Sequence, residues 1–277
     1  ASCFPPAIQR GDDTSETLWA GKLQLSYQYN DDLMLYAGVN RGVKAGSFNA
    51  PLLGAYFGGG GDDGLPYDEE VLTSYEAGFK ATVLDGTTRI NGTAFYYDYS
   101  DYQAFLFVGV GGVVVNKDAE TYGAELEIQS SPAEGWDIIV SASYFDATVE
   151  DLFLRAGSPL PARDVKPTYA PEFQASALIR YGWDAMGGRL AVQADANYSD
   201  EFYYNLRNFD ADKFDSYVMA NAQLSFEKND WLATLAVRNL TDERAGVMGF
   251  DLATLCGCNE VAYRAPRYVS VGLRKDF

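Results

Sequence analysis

The amino-acid sequence predicts an all-β chain, part of an antiparallel transmembrane β-barrel, and three observations predict it. Apolar and polar residues alternate with period two over segments of about ten residues or more. The connections between those segments alternate between short and long, as they do where short turns lie on one rim of a membrane barrel and long loops on the other. Aromatic residues gather near the ends of the apolar faces, where a barrel wall meets lipid headgroups. No uninterrupted apolar run approaches the ~18 residues that a membrane helix requires, so helical spans are excluded and strands are not.

Taken in order, residues 18–29 set Lys22, Gln24, Ser26 and Gln28 against Leu23, Leu25, Tyr27 and Tyr29. A second strand is expected at 33–41. In 70–81, Glu70, Leu72, Ser74, Glu76 and Lys80 oppose Val71, Tyr75, Ala77, Phe79 and Ala81, with Leu72 the exception on the polar face. Further strands are expected at 88–99 and at 119–129, where Thr121, Glu125, Glu127 and Gln129 oppose Tyr122, Ala124, Leu126 and Ile128. Others follow at 136–147 and 172–182. The clearest alternation lies in 189–198, with Arg189, Gln193, Asp195 and Asn197 on one face and Leu190, Val192, Ala194, Ala196 and Tyr198 on the other. Strands at 214–227, 231–239 and 266–277 bring the total to about eleven. The last has an imperfect phase: Tyr268 falls out of step with Val269, Val271, Leu273 and Phe277, and a bulge is the expected cause.

Short connections fall at 30–32, 85–87, 131–135, 184–188 and 228–230, all rich in turn formers. Long ones run near 43–68, 100–118, 148–171, 199–213 and 240–265. The aromatic girdles are expected from Trp19, Tyr27, Tyr29, Tyr96, Trp136, Tyr144, Tyr181, Trp183, Tyr198 and Phe202. A soluble β-sandwich has shorter strands, nearer ~5 to 6 residues, and a more charged outer face.

Composition narrows function. The formal net charge of −18 repels a phosphate backbone, so no nucleic acid is expected as a partner. The absence of His removes the usual general base and metal ligand, and the chain is expected to be no enzyme and to hold no cofactor or metal. Cys256-Gly257-Cys258 is too tight for the usual zinc spacing; with Cys3 it leaves an odd count, read either as a surface disulfide of unspecified pairing or as three thiols. The chain begins at Ala1 without a leader pattern, so it is expected to be processed or cut from something longer. An odd strand count points the same way, since edge strands at 18–29 and 266–277 would lie open in lipid with unsatisfied backbone groups.

Specific segments then carry a resemblance. YAGVNRGVKAGSFN from Tyr36 to Asn49, EVLTSYEAGFK from Glu70 to Lys80, TYGAELE from Thr121 to Glu127, VRNLTDE from Val237 to Glu243 and APRYVSVGLRKDF from Ala265 to Phe277 follow one another in order. Together they resemble TonB-dependent outer-membrane receptors. The resemblance implies a 22-stranded barrel in the cell outer membrane, of which about eleven strands are present here. Residues 1–17 are then an extracellular loop remnant and 18–277 the C-terminal part of the barrel. It implies as partners an N-terminal plug and a barrel half missing from this sequence, the TonB complex reached through that missing part, and outer-membrane lipid. It also implies that Phe277 serves as the barrel-assembly signal.

The candidate site residues follow from their chemistry. Arg41 and Lys44, at the outer end of a strand, could meet an anionic ferric chelate or pair with a lumen carboxylate. Arg89, Asn91, Glu125, Glu127, Gln193, Asp195, Asn197, Asn221 and Gln223 are expected to line the lumen and face plug or water. GGGGDD at 58–63 matches one glycine-aspartate calcium repeat, but such sites need stacked copies, and loop is the stronger reading. The acidic run of Asp62, Asp63, Asp68, Glu69 and Glu70 reads as a solvated cluster. Sequons at Asn91, Asn197 and Asn239 occupy strand or turn positions where no glycan is expected. The expected function is import of a scarce nutrient, a ferric siderophore first among them; the alternative is a surface adhesion or recognition protein on a β scaffold.

Overall fold

The computed structural model describes residues 15–49, 66–108, 111–153 and 161–276. Eleven wall strands form one antiparallel sheet in which each pairs with its sequence neighbours in the wall. They are β1 (Gly21–Asn30), β2 (Leu33–Lys44), β3 (Glu70–Val83), β4 (Thr88–Val108), β5 (Gly111–Ser130) and β6 (Trp136–Leu152). They continue as β7 (Phe173–Ala185), β8 (Gly188–Ser199), β9 (Tyr217–Lys228), β10 (Trp231–Arg238) and β11 (Tyr268–Lys275). A short segment, Arg163–Val165, adds to the outer end of β6. Each expected strand is present, and β1 and β11 form the two open edges of the sheet among the described residues.

Period-two alternation becomes two chemically distinct faces because paired residues point the same way. One face carries Leu25, Ala37, Ala77 and Ala94 across β1 to β4, and Ile179, Ala194, Ala222 and Val237 across β7 to β10. Aromatic rows bound this apolar band on both sides. Toward the long connections, Tyr75 meets Tyr96, Tyr122 meets Tyr144 and Phe173 meets Tyr198, with ring centroids 6.0–6.4 Å apart. Toward the short turns, Tyr181 lies 4.6 Å from Trp136 and stacks on Trp183 at 5.3 Å. Trp136 and Tyr144 stand eight residues apart on β6. At ~3.3 Å per residue and a tilt near ~40°, that spans about 20 Å along the barrel axis, close to the height of an outer-membrane apolar band.

The upper row also shows where lipid gives way to water. The Tyr96 hydroxyl donates to Glu120 at 3.2 Å, Tyr122 to Asp146 at 2.7 Å and Tyr198 to Asp200 at 2.5 Å. Each ring is in the apolar band and each hydroxyl reaches a carboxylate beyond it, the disposition expected of interfacial tyrosines. Phe202 is a correction to the expected girdle. It is buried against Tyr204 and Phe214 among the connecting segments, because the chain has already left the wall at Ser199.

The short turns match the turn-forming residues that predicted them, and Gly86, Gly135 and Gly187 adopt φ of +87°, +82° and +73°, which only glycine takes without strain. The long connections differ from expectation at their bases, where β6 runs on to Leu152 within the expected 148–171 connection and most of 100–118 is strand. Residues 100–108 and 111–118 continue β4 and β5 as a paired hairpin instead of forming a loop. A bulge between Tyr99 and Tyr102 redirects the hairpin at the rim, and a second, between Val149 and Leu152, bends β6. The reason is apolar: Ala104, Leu106, Val113, Val149, Leu152, Val165 and Leu206 bury one another in a core outside the wall. Leu72, the exception on the polar face, stands opposite Tyr99 at the base of that core.

The expected bulge in β11 is absent. Its register with β10 runs unbroken from Trp231↔Lys275 to Arg238↔Tyr268, so Val269, Val271 and Leu273 share the apolar face while Tyr268 takes the opposite one. Phe277, Cys3, the 58–63 glycine segment, Asp62 and Asp63 lie outside the described residues. Cys256 and Cys258 form a disulfide at the tip of a hairpin, Gly246–Leu252 with Cys258–Tyr263.

Candidate functional site

Opposite the apolar face, the register builds a polar ladder: Asn91, Glu127, Ser141, Ser176 and Asn197 stand side by side on β4 to β8. The other residues expected in this set, Arg89, Glu125, Gln193, Asp195, Asn221 and Gln223, have the same phase on their own strands. Several satisfy each other's hydrogen-bonding groups. Asn221 donates to Asp195 at 2.6 Å, and Asn91 reaches Glu127 at 3.5 Å. This face curves round a hollow of about 760 Å³ whose lining includes Glu125, Ser141, Ser176, Asn197, Tyr217 and Arg264.

The long-connection end closes into two tethered lobes. In the first, side chains replace backbone partners that the extended hairpin's outer edge would otherwise lack. Asn49 donates to the Val114 carbonyl and accepts from the Val114 N–H, both at 2.8 Å, as a strand residue would. Gln103 donates to the Ala45 and Asp68 carbonyls at 2.9 and 3.1 Å, and its own N–H reaches Glu70 at 2.8 Å. Asn116 fixes Asp68 in both directions. The segments on either side of 50–65 are therefore stitched to β4 and β5.

In the second lobe, residues 205–208 tie three connections together. Leu206 enters the apolar core of the first lobe, and Asn208 pairs with Lys166 through both its amide atoms at 2.6 and 3.0 Å. Arg207 forms an ion pair with Asp251 at 2.9 Å, both side chains largely buried, joining the Gly246–Leu252 hairpin. Asp212 is buried beside this pair. Its Oδ1 accepts from Asn259 at 3.2 Å, whereas its Oδ2 has no partner. Burial, with the Asp251 charge second, pushes the Asp212 carboxyl up to about 6, while burial and the Asp212 charge push Tyr204 up to about 12.

The two cationic candidates separate. Arg41 has the apolar-face phase and lies over the Trp19 ring at 4.2 Å, donating also to the Trp19 carbonyl. Lys44 is exposed at the rim, 4.0 Å from Glu70. Asn239, which the sequence marked as a sequon and as part of the VRNLTDE segment, is almost fully buried at φ +54°. Its amide donates to the Glu243 and Ala265 carbonyls and accepts from the Glu243 N–H, closing the exit of β10 onto the entry of β11. The signal for this role was its place in the VRNLTDE segment, which spacing alone does not interpret.

A family model described as TonB dependent receptor-like, beta-barrel matches residues 5–240. A ferric-pyoverdine 358 receptor of Pseudomonas putida is 26% identical over 225 residues, covering 77% of this chain and 25% of that protein. Among solved structures, the ferric yersiniabactin uptake receptor FyuA of Yersinia pestis superposes with a TM-score of 0.74 at 20% identity, over 93% of this chain and 37% of that one. The pyoverdine outer membrane receptor FpvA of Pseudomonas aeruginosa PAO1 gives 0.68 at 16% identity, over 93% and 36%. The chain thus spans a quarter to little more than a third of these proteins.

Proposed function

This chain belongs to the TonB-dependent receptor β-barrel family and is an outer-membrane protein, and from that premise we propose that it is wall and loops of a receptor importing a ferric siderophore. The observation that carries the proposal is the two-faced sheet, apolar on one side and polar on the other, whose long connections all lie at one end. In this reading residues 1–17 are the end of an extracellular loop and 18–277 the C-terminal portion of the barrel. The polar ladder then faces the lumen, where Glu125, Glu127, Asp195 and Asn197 meet plug or water. β1 and β11 cannot leave their outer backbone groups bare in hydrocarbon, so further strands must join them to close the wall.

The short turns face the periplasm and the lobes face the medium. Cargo contacts fall to the lobes, with Lys44 at their base, whereas Arg41 and Trp19 act at the lipid interface. A plug and TonB contact supplied from outside residues 1–277 perform gating, and Phe277 marks the chain for barrel assembly. The role is transport and not catalysis. The test is deletion of the intact gene followed by growth and uptake of radioactive ferric chelates under iron limitation. Loss of uptake restored by the gene supports the reading, and unchanged uptake of every chelate offered overturns it.

A further inference from the structure

From β7 to β11, the residues that share a face with Ile179, Ala194, Ala222 and Val237 are apolar or aromatic except for two, Lys228 and Lys275. Both stand at the short-turn end, and the register sets them on either side of Trp231, Lys228 on β9 and Lys275 on β11. The other charges at these strand ends, Asp184, Arg189, Glu227 and Arg274, take the opposite parity and belong to the polar face. Asp276, just beyond β11, pairs with Arg274 at 3.2 Å.

Lys228 donates to the Met186 carbonyl at 3.1 Å, and Lys275 lies over the Trp231 ring at 5.5 Å. An ammonium carries three donors, so one bond to Met186 does not exhaust Lys228. Two strand spacings put the two lysine backbones roughly 10 Å apart, a gap that two four-carbon stems can close around one phosphate. Deeper on the same face, Ala194 and Ala222 stand side by side and open an apolar hollow of about 650 Å³ walled by Leu224, Leu235, Trp136 and Tyr181. Leu224 lies on the same strand as Lys228, roughly 13 Å along it. The row between them dips at Ala233, which stands between Phe226 and Leu273. Cationic rim, indole and apolar hollow thus follow one another as phosphate, glycerol backbone and acyl chain do in a phospholipid.

We propose that this strip, from Lys228, Trp231 and Lys275 to the hollow over Ala194 and Ala222, binds one net-anionic glycerophospholipid of the periplasmic leaflet. The headgroup phosphate sits between the two ammonium groups and an acyl chain fills the hollow. A zwitterionic headgroup brings its own ammonium against the same two cations and binds less tightly. The choice of leaflet rests on the reading that the short turns face the periplasm; the site does not depend on which chelate is imported.

The test titrates the intact receptor in detergent with phosphatidylglycerol and with phosphatidylethanolamine of identical acyl chains, counting bound lipids by native mass spectrometry. The expected result is roughly tenfold tighter binding of phosphatidylglycerol at low salt, shrinking at high salt. The double variant Lys228→Gln, Lys275→Gln, at two exposed positions, is expected to bring the two lipids together, whereas Arg274→Gln, on the same rim with the opposite parity, keeps the preference. Ala222→Leu, which fills the hollow, is expected to weaken both lipids alike. Equal affinity of the two lipids for the unaltered receptor, a preference that survives the double variant, or one lost equally in Arg274→Gln overturns the headgroup site. Unchanged affinity in Ala222→Leu overturns the placement of the acyl chain. Each of these results leaves the siderophore reading intact, because uptake of ferric chelates is scored separately.

Discussion

Asn239→Ala is expected to free the last long connection from the wall. The side chain is 2% exposed and makes three good hydrogen bonds, to the Glu243 carbonyl (2.9 Å), the Ala265 carbonyl (3.1 Å) and the Glu243 N–H (2.8 Å). Each is worth about 1 kcal/mol net, and more where the remaining partner stays buried. Its φ of +54° adds about 1 kcal/mol for alanine, since asparagine tolerates the left-handed region and alanine does not. The sum is about 4 kcal/mol, or roughly a thousandfold faster exchange of the amides that this cap protects. The assay is hydrogen exchange on the intact receptor in detergent, following Glu243 and the start of β11. Asn239→Gly removes the bonds without the backbone strain and is expected to recover about 1 kcal/mol of the loss. Wild-type protection in the alanine variant would refute the capping account, and equal exchange in the alanine and glycine variants would refute its backbone part.

Asp212 gives a pH dependence. Its folded value of about 6 lies above the ordinary carboxylate value, so its stabilising contribution is full at low pH and is lost as pH rises through about 6. Exchange in the Gly246–Leu252 strand is expected to quicken between about pH 4 and pH 6 in the wild type and to lose that step in Asp212→Asn; an identical step in both would assign it elsewhere. Leu106, 1% exposed in the outer core, is expected on truncation to alanine to cost about 2–5 kcal/mol locally and to admit protease to the β4–β5 hairpin in whole cells, whereas Phe105→Ala at its exposed neighbour is not. Equal cleavage of the two variants would show that the outer core does not hold the hairpin.

Much of the wall was legible because a strand with one lipid and one polar face writes its geometry directly into alternation, as Leu190 to Tyr198 shows. Where the chain leaves the membrane that pattern ends. Residues 100–118 looked like a loop because their apolar positions serve a small core shared with Val149, Val165 and Leu206, and no local pattern announces partners so distant in sequence. The same reason hid the Phe202 cluster and the Arg207–Asp251 pair. Arg41 drew attention as a cation at a strand's outer end, but its phase puts it beside Trp19, a fact that required the register with β1. The polar ladder needed only parity, so Asn91, Glu127 and Asn197 could be named from the sequence, whereas Ser141 and Ser176, small and weakly polar, were not.

The two-faced wall is tested most directly by labelling positions along β8. In a background with every cysteine of the intact receptor replaced by serine, Cys3, Cys256 and Cys258 among them, a single cysteine is placed in turn at Leu190, Val192 and Ala194 and at Arg189, Gln193 and Asp195, and each carries a fluorophore. The account predicts that a lipid-borne quencher reaches the first three and a water-soluble quencher the second three, alternating with the parity of the strand. Uniform access by the aqueous quencher, or no alternation along the strand, would contradict it.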